Sequence, residues 1–151
     1  MRGGPFEIAE IEPDNLKNRL KLADLYLKEN KVREALGEYQ VIGSELAKKG
    51  MLDESLQVLE KALGLDPSNM QILRALAKTR VDAGRAEEAV QFVRSRLEQK
   101  GGNDPDLLLV LGETFQAARA FEPARQCLDR AIQVAPQRGD VRQALFRLSL
   151  D

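Results

Sequence analysis

The 151-residue sequence predicts an all-α protein of about eight helices arranged as a repeat array. Apolar residues return every three or four positions along nearly the whole chain, and alternation with a period of two is sustained nowhere. Gly, Asn and Pro interrupt the periodic stretches at short intervals. The same spacing of residue types recurs at close to 34 residues, which indicates a stacked series of helix pairs with no single closed centre.

Taken in order, the helices are predicted over 15–29, 32–49, 52–64, 69–83, 86–100, 105–118, 121–134 and 138–150. Breaks fall at Asn30, Gly50, Gly84 and Gly101-Gly102, where Gly or Asn takes the left-handed conformation that ends a helix cheaply. Pro67, Pro105 and Pro136 punctuate the remaining junctions. Pro123 sits just inside a helix start, where its missing N–H costs nothing.

The recurring pattern is clearest near the C-terminus. Leu108 is followed by Leu111-Gly112, Phe115, Ala124, Leu128, Ala131 and Pro136. The spacing resembles that of the tetratricopeptide repeat (TPR), whose unit is two antiparallel helices. Its first helix carries a large residue, a Leu, a small residue and an aromatic, and its second carries Ala, a bulky residue, Ala and Pro. Leu108 stands where Trp is usual. A degenerate copy reads Leu73, Leu76-Ala77, Arg80, Ala89, Val93, Arg96 and Gly101. A first copy reads Arg19, Leu22-Ala23, Tyr26, Ala35, Tyr39 and Ile42, and Ser55, Leu59, Ala62 and Pro67 supply a further second helix. The resemblance covers about residues 16–136 and implies a right-handed α-solenoid of antiparallel helix pairs.

One interval is irregular. Ala35 and Ser55 lie 20 residues apart, against 34 from Ser55 to Ala89 and 35 from Ala89 to Ala124. The helix over 32–49 therefore serves twice, as the second helix of one copy and the first of the next, and a local change in the superhelix is expected around 32–64. The array is expected over 15–137, with copies at about 16–49, 36–67, 70–102 and 105–136, and a C-terminal capping helix over 138–151. "IAEIEP" at 8–13 lines up with "ALGLDP" and "AIQVAP", so the tail over 1–14 reads as the end of a preceding second helix. It is either a worn repeat or a sign that the chain is part of a longer array.

Composition narrows the function. With 23 basic and 24 acidic residues there is no bulk field to draw in nucleic acid or an anionic membrane. No stretch is long and apolar enough to span a bilayer, and no signal peptide is evident. Together with a lone cysteine, Cys127, this makes the cytoplasm the expected compartment. The chain has no His, which removes the commonest general base and metal ligand. Neither a catalytic site nor a metal or cofactor site is expected, and Cys127 reads as a structural thiol.

What the resemblance implies is a protein-interaction scaffold that holds a peptide or helical segment in a concave groove lined by the first helices. Its groove-facing places fall on Lys17, Lys21, Asp24 and Lys28, then Arg74, Lys78 and Asp82, then Asp106, Glu113 and Gln116. The first sets lean basic and the last leans acidic, so a partner segment with acidic residues is expected. The family's carboxylate-clamp subgroup wants Asn after the small residue, where this chain has Asp24, Ser44, Lys78 and Glu113; that departure argues against a clamp. A lipid-type ligand would have only Leu20, Leu27 and Leu109 as apolar groove residues. Arg80 and Arg96 replace apolar or small residues, so their stems should pack while their heads reach water or Glu113. On the last helix Val141, Leu145 and Leu148 form a seam, whereas Phe146 and Leu150 lie off it. That leaves an oligomerisation or assembly module using the apolar end as the alternative reading.

The small residues carry a direct prediction, because a bulky side chain at a tight helix crossing typically costs about 1–3 kcal/mol. Gly112→Leu and Ala124→Leu should each lower the thermal midpoint clearly, while Glu87→Leu, on a solvent face, should leave it in place. Equal shifts in a circular-dichroism melt would place the repeat register elsewhere.

Overall fold

The computed structural model describes residues 15–150. The N-terminal tail, with its "IAEIEP" phrase, lies outside them. Eight helices and no strand occur among the described residues: α1 Leu16–Lys28, α2 Val32–Lys48, α3 Leu52–Leu65, α4 Met70–Asp82, α5 Ala86–Gln99, α6 Pro105–Ala117, α7 Phe121–Val134 and α8 Gly139–Ser149. Each end falls within one residue of the position expected from the pattern.

The ends are specified locally. Asn15 caps α1 by accepting the Asn18 N–H at 3.1 Å, and Asn69 does the same for α4 with the Ile72 N–H at 3.0 Å. Asp104 accepts two first-turn N–H groups of α6, from Asp106 at 2.9 Å and Leu107 at 3.2 Å, beside Pro105. Such side-chain oxygens satisfy donors that the helix itself leaves orphaned.

Five helices end on one hydrogen-bond pattern. Lys31, Met51, Arg85, Gly102 and Ala120 donate their N–H groups to the carbonyls of Tyr26, Leu46, Arg80, Leu97 and Phe115, and the preceding residue closes a tighter bond inside each. This is the Schellman closure, which needs a left-handed residue at its corner. Asn30, Gly50, Gly84 and Gly101 supply four corners as expected. Arg119, at φ 61°, supplies the fifth. Sequence reading passes over it because a long side chain in that conformation costs about 1–2 kcal/mol and is rarely chosen. The other two junctions carry Pro67 and Pro136, and the residues before them, Asp66 and Ala135, leave the helical region at φ −144° and −138°.

The described chain divides into two compact units, one ending at Thr79 and the other beginning at Arg80, within α4. In the first unit α2 packs against both α1 and α3. The α2–α3 crossing is close: a Cβ on Gly43 would stand 2.8 Å from Leu59 Cδ2. The neighbouring Ser55 hydroxyl donates to the Gly43 carbonyl at 2.7 Å, so the one polar group in the crossing is satisfied. Ala23, Ala35 and Tyr39 repeat the Gly43, Ser55 and Leu59 spacing between α1 and α2, and all three are fully buried.

In the second unit α6 packs on α5, α7 and α8. Six consecutive residues, Leu107 to Gly112, are buried, as expected for a helix covered on all sides. At the α6–α7 crossing a Cβ on Gly112 would lie 2.7 Å from Leu128 Cδ2, matching the Gly43 contact. On α8 the buried seam is Val141, Ala144 and Leu148. Leu145, expected in the seam, is half-buried at its margin.

Two glycines of α2 should respond to the same change with opposite sign. Gly43→Ala drives a methyl into fully buried Leu59, and overpacking of this kind costs about 1–3 kcal/mol. A Cβ on Gly37 meets nothing within 4 Å, so Gly37→Ala keeps only the helix-propensity gain of about 0.8–1.0 kcal/mol. Urea unfolding of the two variants should bracket the wild type.

Candidate functional site

In the first unit, Lys17, Lys21, Asp24 and Lys28 lie on one face of α1 by their three- and four-residue spacing. The three lysines are exposed and form no ion pair or hydrogen bond with a described residue. Asp24 differs. It accepts the Tyr39 hydroxyl at 2.9 Å and lies 3.6 Å from the Lys61 ammonium. Lys61 in turn stands 5.2 Å from the centre of the Tyr39 ring. Asp24 on α1, Tyr39 on α2 and Lys61 on α3 thus form an internal tie across three helices. Burial pushes the Tyr39 phenol above its ordinary value; Lys61 pulls it back and Asp24 adds to the rise. The hydrogen bond to Tyr39 likewise raises Lys61. On α4, Arg74 and Lys78 stand one turn apart and are exposed.

In the second unit, Asp82 is exposed at the end of α4, and Glu113 and Gln116 are half-buried on α6. Asp106 is engaged by Arg138 at 2.8 Å, and Arg138 also holds Asp140 at 2.7 Å. The two carboxylates, Asp140 foremost, raise the Arg138 guanidinium, and Arg138 lowers Asp140. Asp106 is therefore, like Asp24, tied within the protein. Leu109 is 2% exposed and belongs to the core, so it is not an open groove residue.

The Arg80 and Arg96 heads settle on a partner that the sequence reading did not name. Their guanidinium carbons lie 4.5 Å and 5.0 Å from the Phe92 ring centre. An aromatic face takes up a cation without the full cost of burying it unpaired. Cys127 is half-buried, and burial pushes its thiol up against the opposing pull of Arg94 and Arg130. Among the described residues no group of three His, Cys, Asp or Glu side chains could hold a metal ion. No described helix is long and apolar enough to cross a membrane.

Two clefts of the first unit open on α2, from which no site residue was expected. One has a volume of about 540 Å³ between α2, at Arg33, Leu36, Gly37 and Gln40, and the α3–α4 corner, at Leu65 and Gln71. A second, of about 300 Å³, continues along α2 past Val41, Ser44 and Glu45, sharing Gly37 and Gln40 with the first. The signal was present: Gln40 and Ser44 precede Arg74 and Lys78 by the same 34-residue period.

Residues 46–107 match the family model of the tetratricopeptide repeat. Over 122 residues the chain is 29% identical to Tetratricopeptide repeat protein 8 of Caenorhabditis elegans, covering 81% of this chain and 20% of that protein. The chain thus spans about a fifth of that relative's length. Among solved structures, a thermophilic TPR protein of Thermus thermophilus is similar with a TM-score of 0.59 at 19% identity, over 97% of this chain and 88% of that one. PcrH of Pseudomonas aeruginosa is similar with a TM-score of 0.58 at 16% identity, over 78% and 88% respectively. The fold is all-α and TPR-like.

Tyr39→Phe tests the three-helix tie. Losing one net hydrogen bond should reduce unfolding free energy by about 1 kcal/mol near neutral pH, read from urea denaturation. Because the folded phenol titrates above its ordinary value, its contribution is complete below about pH 10 and fades as pH rises through the folded value. The Phe variant should therefore lose less stability than wild type on going to alkaline pH.

Proposed function

We propose that this chain, whose residues 46–107 match the tetratricopeptide-repeat family model, is a non-enzymatic scaffold holding a peptide or helical segment of a partner protein. The observation that carries the reading is the division of labour among its charged residues. In the first unit Asp24 is consumed by Tyr39 and Lys61, while Lys17, Lys21, Lys28 and Lys78 stay uncommitted on exposed helix faces. The candidate face of the first unit, with Lys17, Lys21, Lys28, Arg74 and Lys78 against Asp24, thus leans positive, which suits a partner segment with acidic residues. The candidate set of the second unit, Asp82, Asp106, Glu113 and Gln116, has no basic member, and its Asp106 is already neutralised by Arg138. Acidic recognition is accordingly assigned to the first unit. Exposed charges at these faces bind weakly one by one, so several must act together.

Crosslinking pull-down followed by mass spectrometry tests this. Wild type should recover a partner with an acidic segment, and a combined Lys17→Glu, Lys21→Glu, Arg74→Glu and Lys78→Glu variant should lose it while melting like wild type. Undiminished recovery by the variant would remove these residues from the binding face.

One observation favours a second reading. Phe146 on α8 and Leu150 at its C-terminal end are 66% and 71% exposed and border a depression with Arg142, Gln143 and Arg147. An assembly role would use that end. Molar mass by light scattering should then rise with concentration for wild type and stay monomeric for Phe146→Glu.

A further inference from the structure

We propose that the outward face of α8 receives an amphipathic helix of a partner protein, one that sets a small apolar residue against Phe146 and carries acidic residues on its flanks. This rests on the assembly reading of that end and names what covers it, apart from the charged faces of α1 and α4.

α8 repeats α6 at the 34-residue period, but on one side only. Leu107, Val110 and Thr114 are buried on α6, and their counterparts Val141, Ala144 and Leu148 are buried on α8. The side of α6 that meets α7 is not repeated. There Gly112 admits Leu128, and Leu108, one turn earlier, is also buried. Their counterparts on α8 are Phe146 and Arg142, both exposed. Because a lone Cβ on Gly112 would already stand 2.7 Å from Leu128 Cδ2, a phenylalanine in that place excludes the close crossing that α6 makes with α7. A helix can seat on α8 only by leaving room for the ring.

The shape of the face suits a helix. Arg142, Phe146 and Leu150 recur every four residues and form a ridge opposite the buried seam, and such a ridge fits the groove between side chains of a second helix. At helical rise it runs about 12 Å, the contact length of roughly two turns. Gln143 and Arg147 complete the rim of a depression of about 520 Å³.

Charge selects the flanks. The described lining holds two guanidinium groups and no carboxylate. Arg142 donates to the Pro136 carbonyl, a neutral acceptor that leaves its charge uncompensated. The Arg147 side chain forms no hydrogen bond or ion pair with a described residue. Asp140, the acidic residue within α8, is held by Arg138 at 2.7 Å. Two copies of this face would bring their guanidinium groups together with no carboxylate in the lining to neutralise them, whereas Asp or Glu beside a small-residue seam would pair with both arginines. An exposed aromatic side chain flanked by Arg is also the kind of surface from which binding energy is chiefly drawn.

The test is selection of a phage-displayed library of helices, randomised along one face, on the full chain, followed by fluorescence polarisation with the enriched helices. These should carry Ala or Gly in the seam with Asp or Glu beside it. Phe146→Ala and Arg147→Glu, both at exposed positions, should each weaken binding by about tenfold or more, and a melt of each variant should match wild type. The combined Lys17→Glu, Lys21→Glu, Arg74→Glu and Lys78→Glu variant should change it less than about twofold. Helices with basic flanks, or binding that survives Phe146→Ala and is lost with the lysine set, would overturn the proposal. Phe146-dependent pelleting with phosphatidylserine vesicles, with no helix enriched, would overturn it in favour of a membrane surface. A molar mass that rises with concentration and is restored to monomer by Phe146→Glu would give the face to a second copy, leaving the assembly reading standing and the partner helix overturned. A monomeric chain that enriches no helix above a bare-surface control would overturn both.

Discussion

The structure depends on how closely two helices can approach when the facing residue has no side chain. Gly43 against Leu59 and Gly112 against Leu128 are the same contact made twice, with the leucine occupying the volume that a Cβ would claim. The axis separation of a helix pair follows from the size of the residues at the crossing, and a core packed to crystal-like density has no slack to absorb an extra methyl group. The Schellman corners deliver each chain segment to that crossing at the right height. Small residue, bulky partner and left-handed turn therefore form one device, and the fold is that device repeated.

Repetition becomes most informative where it is irregular. Because the spacing templates of a first and a second helix share three- and four-residue steps, one helix of sufficient length can satisfy both. α2 does so, with Tyr39 toward α1 and Gly43 toward α3. Its extra length leaves the α3–α4 corner set back from part of its surface, and the recess is lined by side chains with unused hydrogen-bonding capacity.

Charge follows a parallel logic. Asp24 and Lys17 occupy one face of α1, yet Asp24 is captured by a tyrosine and a lysine from the next two helices while Lys17 stays in water. Arg80 and Arg96, where apolar or small residues would be usual, are accommodated because Phe92 presents a ring to both. Asp106 is bound by Arg138, the residue that precedes α8. Whether a charged side chain is a strut or a contact for a partner is decided by what lies across from it.

Helix number, helix limits and the small residues at the crossings were legible in the sequence alone, because caps, left-handed corners and three- to four-residue periodicity act between near neighbours in the chain. Asn30, Gly50, Gly84 and Gly101 announced their turns; Arg119, at the same conformation, did not, since nothing in its own chemistry asks for it. The tertiary structure alone decided that Asp24 and Asp106 are committed within the protein, that Leu109 is core, that Phe92 takes two guanidinium groups and that clefts open along α2. Those outcomes depend on pairs of residues brought together from different helices, and a one-dimensional pattern records which residues repeat but not which of them meet.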